Sequence, residues 1–357
     1  MPKTPRLIEE LPSDNLFRMK LVDLSINIGK RLSEEALGKL SISERKKPAE
    51  NPRTKGKTST LDVVGDGILV NELQKFVNEY KIPISLMTGG DKIQEDVLVS
   101  TSGHSLDRIV LSADVFDGTT NAMKDGSPWV SSLFGYTWPT SDSLTQLKFG
   151  DFEVGVVYVA SGTSAGTVKT GNAFYAHIGG LKAFLRDSDG KEFPLTTSTE
   201  TKPGNWSFVV DTMAARATYP PGPERETKGN ARRIKFLQSL VPLIGGTIND
   251  TSRLFGAGLE QMAMLSPSAE KVDTTLSFYS GNPRFDAFVA AYQFKDNIAG
   301  PKTILKGAGA SCVVFAGPQK GIDIDEVPLQ PHTHYLAAGN EEVKKFVLDS
   351  LKDYQPD

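Results

Sequence analysis

The sequence places two aspartates three residues apart, directly after an apolar segment. Asp114 and Asp117 follow the segment 108–113 (RIVLSA) and precede the small polar segment 118–121 (GTTN). Hard divalent cations such as Mg²⁺ take oxygen ligands, usually one or two carboxylates together with phosphate oxygens of a substrate. Backbone amides at the start of a helix can hold that phosphate, because they lie at the positive end of the helix dipole. The pattern indicates a turn that binds a divalent ion and a phosphate.

The candidate ligands also have purely structural interpretations. Asp-Gly pairs are common in turns and Asp117 could cap a following helix, so the residues alone support both roles equally. Asp296 lies at a predicted helix start and could likewise be a cap. His332 and His334 suggest a metal pair, but beside a proline on an edge strand they are more often polar loop residues.

Apolar periodicity predicts the elements that must position the aspartates. Helical spacing of apolar residues predicts a helix within 15–40 and a second over 61–80. Short apolar runs predict strands at 82–87 and 108–113, the second leading directly into Asp114. The segment 43–60 is rich in Lys, Arg, Pro and Ser, which predicts an exposed loop.

The remaining sequence changes character near Thr199. Short β-branched and aromatic runs between residues 152 and 197 predict an antiparallel meander, which makes the first part α+β. From residue 206 onward, strands alternate with helical stretches, a pattern typical of an α/β fold. We therefore predict an N-terminal α+β domain, 1–198, with the acidic turn and a C-terminal α/β domain, 199–357.

Composition excludes several classes of partner. Hydrophobic residues make up 39% of the 357 residues, and 40 Lys and Arg balance 43 Asp and Glu, so no nucleic acid polymer is expected as a partner. No stretch approaches the roughly 18–20 apolar residues of a membrane-spanning helix. The lone Cys312 cannot form an intrachain disulfide, and no apolar leader begins the sequence, so a cytoplasmic location is expected.

The acidic turn resembles the signature of a known superfamily. The stretch SADVFDGTTNAMKDGSPWVSSLFG is similar to a strand that ends in D-P-I-D-G-T-T-N in the metal-dependent, lithium-sensitive sugar phosphatases, which include inositol monophosphatase and fructose-1,6-bisphosphatase. Further segments match in order from about Thr58 onward: TLDVVGDGILVNEL, FEVGVVYVA with GNAFY, RLFGAGLEQMAML and FKDNIAGPKTILKGAGA. The resemblance implies a layered αβαβα sandwich and hydrolysis of a small sugar or nucleotide phosphate by metal-activated water.

The resemblance also implies metal ligands. Asp114 would bridge two ions, beside the backbone carbonyl of Phe116, and Asp117 would bind the second ion. Asp296 would reach that second ion from the other half of the chain. The cofactor would be Mg²⁺, as one or two ions.

The remaining roles follow from the same resemblance. Thr119, hydrogen bonded to Asp62, would activate the attacking water. The backbone amides of Gly118, Thr119 and Thr120 would hold a small phosphorylated or anionic substrate. Independently of the resemblance, Lys295 and Arg253 could add positive charge for that substrate, although isolated basic residues are more often exposed surface charges. Relatives form dimers or tetramers, which implies a homodimer or homotetramer.

The chain departs from the superfamily pattern at several functional positions, and one of them is Lys295, which stands where relatives carry a tryptophan before the last aspartate. Gly89 and Gly90 stand where relatives carry two glutamates that bind the first metal and help to activate water, and Asp91 is the nearest replacement. Ala290 stands where inositol enzymes use a glutamate to hold a sugar hydroxyl, which argues against inositol phosphate. The glycine pair supports an alternative: a degenerate member that acts as a non-hydrolytic enzyme or as a binding or regulatory protein.

Overall fold

The computed structural model describes most of the chain. The described residues are 15–50, 57–88, 97–99, 108–123, 130–138, 144–161, 171–177, 182–219, 222–250, 256–267 and 285–356. Within them, no helix is both long enough and apolar enough to cross a membrane.

Helices occur at both ends of the described chain and between the strands. They are α1 Asn15–Arg31, α2 Ile42–Arg45, α3 Thr60–Tyr80, α4 Thr119–Ala122, α5 Met213–Ala217, α6 Asn230–Ser239, α7 Ala257–Met262, α8 Asp296–Gly307 and α9 Glu341–Ser350. A π-helical stretch, Leu32–Leu37, continues α1. The predicted helices at 15–40 and 61–80 are therefore present.

The strands of the described residues form a nine-stranded sheet, called the large sheet, a five-stranded sheet, called the small sheet, and one hairpin. They are β1 Pro48–Glu50, β2 Lys57–Ser59, β3 Ile84–Thr88, β4 Val97–Val99, β5 Ile109–Asp117, β6 Val130–Thr137, β7 Val154–Ser161, β8 Ala173–His177, β9 Lys182–Arg186, β10 Glu192–Thr197, β11 Ser207–Asp211, β12 Thr247–Asp250, β13 Leu265–Pro267, β14 Ala287–Phe294, β15 Ser311–Val314 and β16 His332–Ala338. The nine-stranded sheet has the order β13-β10-β9-β8-β7-β6-β5-β3-β4, and the five-stranded sheet has the order β12-β11-β14-β16-β15.

The two sheets differ in strand direction, as the sequence pattern predicts. The large sheet is antiparallel from β5 to β10, with β3 and β5 as its parallel pair. In the small sheet β11 runs parallel to both β12 and β14. The short strand β13 comes from the second half of the chain but pairs with β10 of the large sheet. The two-domain division at Thr199 stays a prediction.

Three apolar cores separate five layers. The first lies between α1, α3 and the large sheet, where Leu21 and Leu69 are fully buried. The second lies between the two sheets and surrounds α8, whose Ile304 shares a core with Phe288 of the small sheet. The third lies outside the small sheet, under α6 and α9, around Phe236. This order of layers is the αβαβα sandwich that the resemblance implies.

Helix α8 lies unusually close to the large sheet. A Cβ on Gly300 would stand 2.3 Å from the carbonyl oxygen of Phe134, and one on Gly155 would stand 2.2 Å from the carbonyl oxygen of Gly300. Only glycine permits such an approach of two backbones. The contact fixes the helix that begins with Asp296 against β6 and β7.

Part of the predicted loop at 43–60 is folded. Ser41 and Glu44 form a capping box at the start of α2, and β1 pairs with β2 as an antiparallel hairpin. Arg45 donates to the carbonyl oxygen of Ala122, which ties this segment to α4. Capping and cross-strand pairing stabilise the segment without an apolar repeat, which is why periodicity did not reveal it.

The two C-terminal histidines lie in an interior strand rather than at an edge. Strand β16 runs between β14 and β15, and the ring of His334 packs against that of Tyr292 at 4.5 Å and near those of Phe315 and Tyr354. Burial, with smaller contributions from the charges of Arg232 and His332, lowers the pKa of His334 to about 4. His334 is therefore an uncharged packing residue at neutral pH.

Replacing His334 with Phe should reduce the acid sensitivity of the fold. The unfolded chain binds the proton near pH 6.5, whereas the native state binds it near 4, so the free energy of unfolding falls as pH drops through this window. Between pH 7 and pH 5 the wild-type protein should lose about 1–2 kcal/mol more than His334→Phe. Urea unfolding at both pH values measures this, and an equal loss in the two proteins would refute the assignment.

Candidate active site

A β-bulge in β5 positions the two aspartates of the acidic segment. Asp114 pairs with Leu133 of β6 and Asp117 pairs with Ser131, so β5 has one more residue than its partner over this stretch. Bulges of this kind bend a strand and often re-aim side chains beside active sites. The strand ends at Asp117 and α4 follows after Gly118, with only four residues in the helix. The predicted turn is thus a bulged strand end followed by a single helical turn.

Asp117 is buried and accepts hydrogen bonds from the second half of the chain. Its Oδ1 accepts from the backbone N–H of Ala257 at 3.0 Å, and its Oδ2 accepts from that of Gly258 at 2.7 Å. The Ser131 hydroxyl also donates to Oδ2 at 3.1 Å. A Cβ on Gly256 would stand 2.3 Å from Oδ2, so the start of α7 needs glycine there. The segment RLFGAGLEQMAML therefore contacts the acidic strand end directly.

Electrostatics show that carboxylates from distant parts of the chain lie near Asp114. Burial raises the pKa of Asp114 well above its usual value, and the charges of Asp117, Asp296 and Asp62 raise it further. A hydrogen bond from the Phe116 N–H to Asp114 Oδ1, at 3.2 Å, opposes this rise. We call these four carboxylates the acidic cluster: Asp62 of α3, Asp114 and Asp117 of β5, and Asp296 of α8.

The pKa of Asp117 is also raised, to about 6. Burial is the main cause, and the charge of Asp211 contributes in the same direction. The hydrogen bonds from Gly258, Ser131 and Ala257 oppose the shift because they favour the ionised carboxylate. Asp211 therefore borders the acidic cluster.

Lys295 directly precedes Asp296, the first residue of α8, and is buried together with it. Asp296 and Lys295 are 4% and 1% exposed, and Lys295 Nζ lies 3.3 Å from Asp296 Oδ1. Lys295 is thus a buried residue of the site rather than a surface cation.

The predicted water-activating residues have specific partners in the structure. The predicted hydrogen bond between Thr119 and Asp62 is wrong, because Thr119 Oγ1 donates its single proton to the carbonyl oxygen of Phe116 at 2.7 Å. Asp62 Oδ2 accepts from Thr58 Oγ1 at 2.6 Å and from Ser59 Oγ at 2.8 Å, as part of the capping box of α3. The catalytic roles of Thr119 and Asp62 stay predictions.

Several predicted site residues lie outside the described part of the chain. These are Gly89, Gly90, Asp91 and Arg253, together with the side chain of Thr120. Their roles stay predictions as well.

Sequence reasoning missed Asp211, which borders the acidic cluster, and its hydrogen-bond partner Gln293. Asp211 Oδ1 accepts from the N–H groups of Met213 and Ala214 at 2.8 and 3.1 Å, and Oδ2 accepts from Gln293 Nε2 at 3.1 Å. Asp211 ends β11, which is parallel to β14, and ligands of α/β sheets bind at the carboxyl ends of such strands. The strand WSFVVD, which ends in an aspartate, was the signal that could have identified it.

The chemistry of the acidic cluster fits Mg²⁺. Its donors are carboxylate oxygens, with the Phe116 carbonyl beside them, and their mutual repulsion in a buried place is what a divalent cation relieves. The described residues do not form a preformed cage of three or more His, Cys, Asp or Glu side chains. Mg²⁺ does not require one, because substrate phosphate and water usually complete its coordination.

Comparisons with known sequences give a distant match. No family model matches the chain. The bifunctional NADP phosphatase/NAD kinase of Methanococcus maripaludis is 23% identical over 190 residues. The match spans 52% of this chain and only 30% of that protein.

Comparisons with solved structures cover nearly the whole chain. The extragenic suppressor protein SuhB of Bartonella henselae superposes with a TM-score of 0.57 at 15% identity, over 94% of this chain and 99% of that one. The inositol monophosphatase of Anabaena superposes with a TM-score of 0.57 at 13% identity, over 96% and 98% of the two chains. An inositol monophosphatase–fructose 1,6-bisphosphatase gives 0.56 at 16% identity, over 92% and 99%. The chain therefore has the fold of the inositol monophosphatase and fructose-1,6-bisphosphatase superfamily, as its acidic segment predicts.

Proposed function

We propose that this protein is a Mg²⁺-dependent phosphatase that hydrolyses a small sugar or nucleotide phosphate. The observation that carries the proposal is the acidic cluster, in which Asp62, Asp114, Asp117 and Asp296 arrive from three different elements. Like charges are costly to bury unless a cation compensates them. The shared fold with phosphatases supports the same reaction class.

In phosphate ester hydrolysis, the residues of the acidic cluster and the adjacent segment would bind the metal and the phosphate. Asp114, Asp117 and Asp296 would hold one or two Mg²⁺ ions, with the Phe116 carbonyl beside them. When bound, Mg²⁺ would supply an activated water and neutralise charge on the phosphoryl oxygens. The amides of residues 118–120 would hold the phosphate.

Thr119 would orient the attacking water. Its hydroxyl donates a hydrogen bond to the Phe116 carbonyl and keeps acceptor lone pairs, so it can accept a hydrogen bond from a water molecule. Asp62, held by hydrogen bonds from Thr58 and Ser59, would accept the proton that the water loses as it attacks phosphorus. Asp91 would replace the missing glutamates.

Two features indicate which phosphate esters are the better candidate substrates. Ala290 is fully buried in β14 and has no polar group to hold a sugar hydroxyl, which argues against inositol phosphate. The similarity to a protein named as an NADP phosphatase supports including phosphorylated nucleotides among the substrates.

A panel of phosphate esters, assayed with and without Mg²⁺, tests the proposal. We expect Mg²⁺-dependent release of phosphate from at least one sugar or nucleotide phosphate, with chelation by EDTA abolishing it. Fructose 1,6-bisphosphate, adenosine monophosphates and NADP are the informative members, and inositol monophosphate should be the poorest. Absence of release from every ester would instead favour the non-hydrolytic or binding protein that the Gly89-Gly90 pair suggests.

Assembly and location are separate proposals. A homodimer or homotetramer is expected from the relatives, and light scattering on the purified protein measures the mass directly. A cytoplasmic location stays a prediction from the sequence.

A further inference from the structure

The ammonium group of Lys295 lies against a carboxylate of the acidic cluster. Lys295 is 1% exposed, and its Nζ lies 3.3 Å from Asp296 Oδ1. Lysines are almost never fully buried unless they are paired with a carboxylate, because an isolated ammonium loses its hydration. The pairing with Asp296 is one contact that compensates this burial.

The backbone of Lys295 is firmly held. Its N–H donates to the carbonyl oxygen of Pro331 at 3.2 Å, and its own carbonyl accepts from the N–H of Ala299 at 2.9 Å. The helix that follows is fixed against the large sheet by the close approach of Gly300. The side chain of Lys295 therefore extends from a backbone position that is fixed beside Asp296 at the start of a rigid helix.

Lys295 changes the charge balance around Asp296. Asp296 belongs to the acidic cluster, so the carboxylate that lies 3.3 Å from Lys295 Nζ is also one of the proposed ligands of a divalent ion. In the superfamily pattern a tryptophan precedes this aspartate, which brings no charge. This chain places a positive charge at that position.

We propose that the Lys295 ammonium is a built-in cation that competes with a divalent ion for Asp296. One Mg²⁺ would then be held by Asp114 and Asp117 alone, and Asp296, which the proposed function includes as a third ligand, would pair with Lys295 in place of a second ion. This inference rests on the proposed Mg²⁺ site. It concerns cation binding alone, so it is tested without substrate and independently of phosphate release.

Isothermal titration of Mg²⁺ into the wild-type protein and Lys295→Met tests the inference. Methionine keeps most of the side-chain volume and removes the charge. We expect the variant either to bind a second ion or to bind Mg²⁺ about tenfold more tightly, because a neighbouring positive charge has been removed. The same stoichiometry and affinity in both proteins, or no binding in either, would overturn the inference.

Lys302→Met is the matched control. Lys302 lies on the same helix, is 3% exposed and pairs with Asp325 at 2.8 Å, a carboxylate that does not belong to the acidic cluster. Its replacement should leave Mg²⁺ binding as in the wild type. An equal gain in Lys302→Met would show that the effect is a general loss of charge and would also overturn the inference.

A second readout covers the case in which Lys295→Met folds poorly. Without Mg²⁺ the variant lacks the positive charge beside Asp296, so its thermal midpoint should fall, and added Mg²⁺ should raise it more than it raises that of the wild type. Lys295→Gln carries the same expectation with a polar side chain. Equal Mg²⁺-induced shifts in the wild type and in the folded variant would contradict the proposal.

Discussion

Asp114→Asn is expected to lower kcat/KM for Mg²⁺-dependent phosphate release by about a hundredfold to ten-thousandfold. Asp114 lies at the centre of the acidic cluster, where three other carboxylates raise its pKa. An amide has nearly the same shape but carries no charge, so it binds a divalent ion far more weakly. Asn can still accept the hydrogen bond from the Phe116 N–H, which should preserve the bulge.

The control for this substitution is Asp189→Asn. Asp189 is exposed in the turn between β9 and β10, so the same chemical change there should leave turnover unchanged. Initial rates of phosphate release over a range of Mg²⁺ concentrations measure both variants. If Asp114→Asn retained more than about a tenth of the wild-type activity at every Mg²⁺ concentration, Asp114 would not be a ligand.

Gly300→Ala is expected to destabilise the fold by about 2–3 kcal/mol. The new Cβ would stand 2.3 Å from the Phe134 carbonyl oxygen, and neither partner is a flexible side chain that could move away. Helix α8 would have to shift from the large sheet, and Asp296 at its start would shift with it. Urea denaturation measures the loss of unfolding free energy.

Gly67→Ala is the matched control for the glycine substitution. Gly67 is exposed in α3, and a Cβ there would meet no atom within 4 Å. Alanine should stabilise this helix by about 0.5–1 kcal/mol, since it restricts the unfolded chain. Equal effects of the two substitutions would show that the close approach of α8 to β6 and β7 is not what demands glycine at position 300.

The sequence was sufficient to predict the layered fold because its elements carry strong local patterns. The helix at α3 and the meander from β7 to β10 follow directly from apolar periodicity and turn residues. The hairpin of β1 and β2 was missed because it is held by capping and pairing rather than by an apolar face. Local patterns thus indicate elements that build the core, and they overlook elements that only cover it.

The acidic cluster was predictable only in part. Asp114 and Asp117 lie close in sequence, so their spacing revealed them, and Asp296 was recognised through the superfamily resemblance. Asp211 borders them from the other sheet, and no sequence spacing reveals that proximity. The one local signal was the aspartate at the end of the strand WSFVVD. For Lys295, isolated surface charge was the commoner expectation, yet it is buried because α8 passes between the two sheets.

The most direct test of the central claim is a crystal structure of the protein soaked in Mn²⁺, with anomalous data collected at the manganese absorption edge. Mn²⁺ takes the oxygen ligands that Mg²⁺ takes and can be located by its own signal. We predict an anomalous peak about 2.0–2.5 Å from a carboxylate oxygen of Asp114, with Asp117 as a second ligand. A structure in which Mn²⁺ binds only elsewhere, or not at all, would contradict the account.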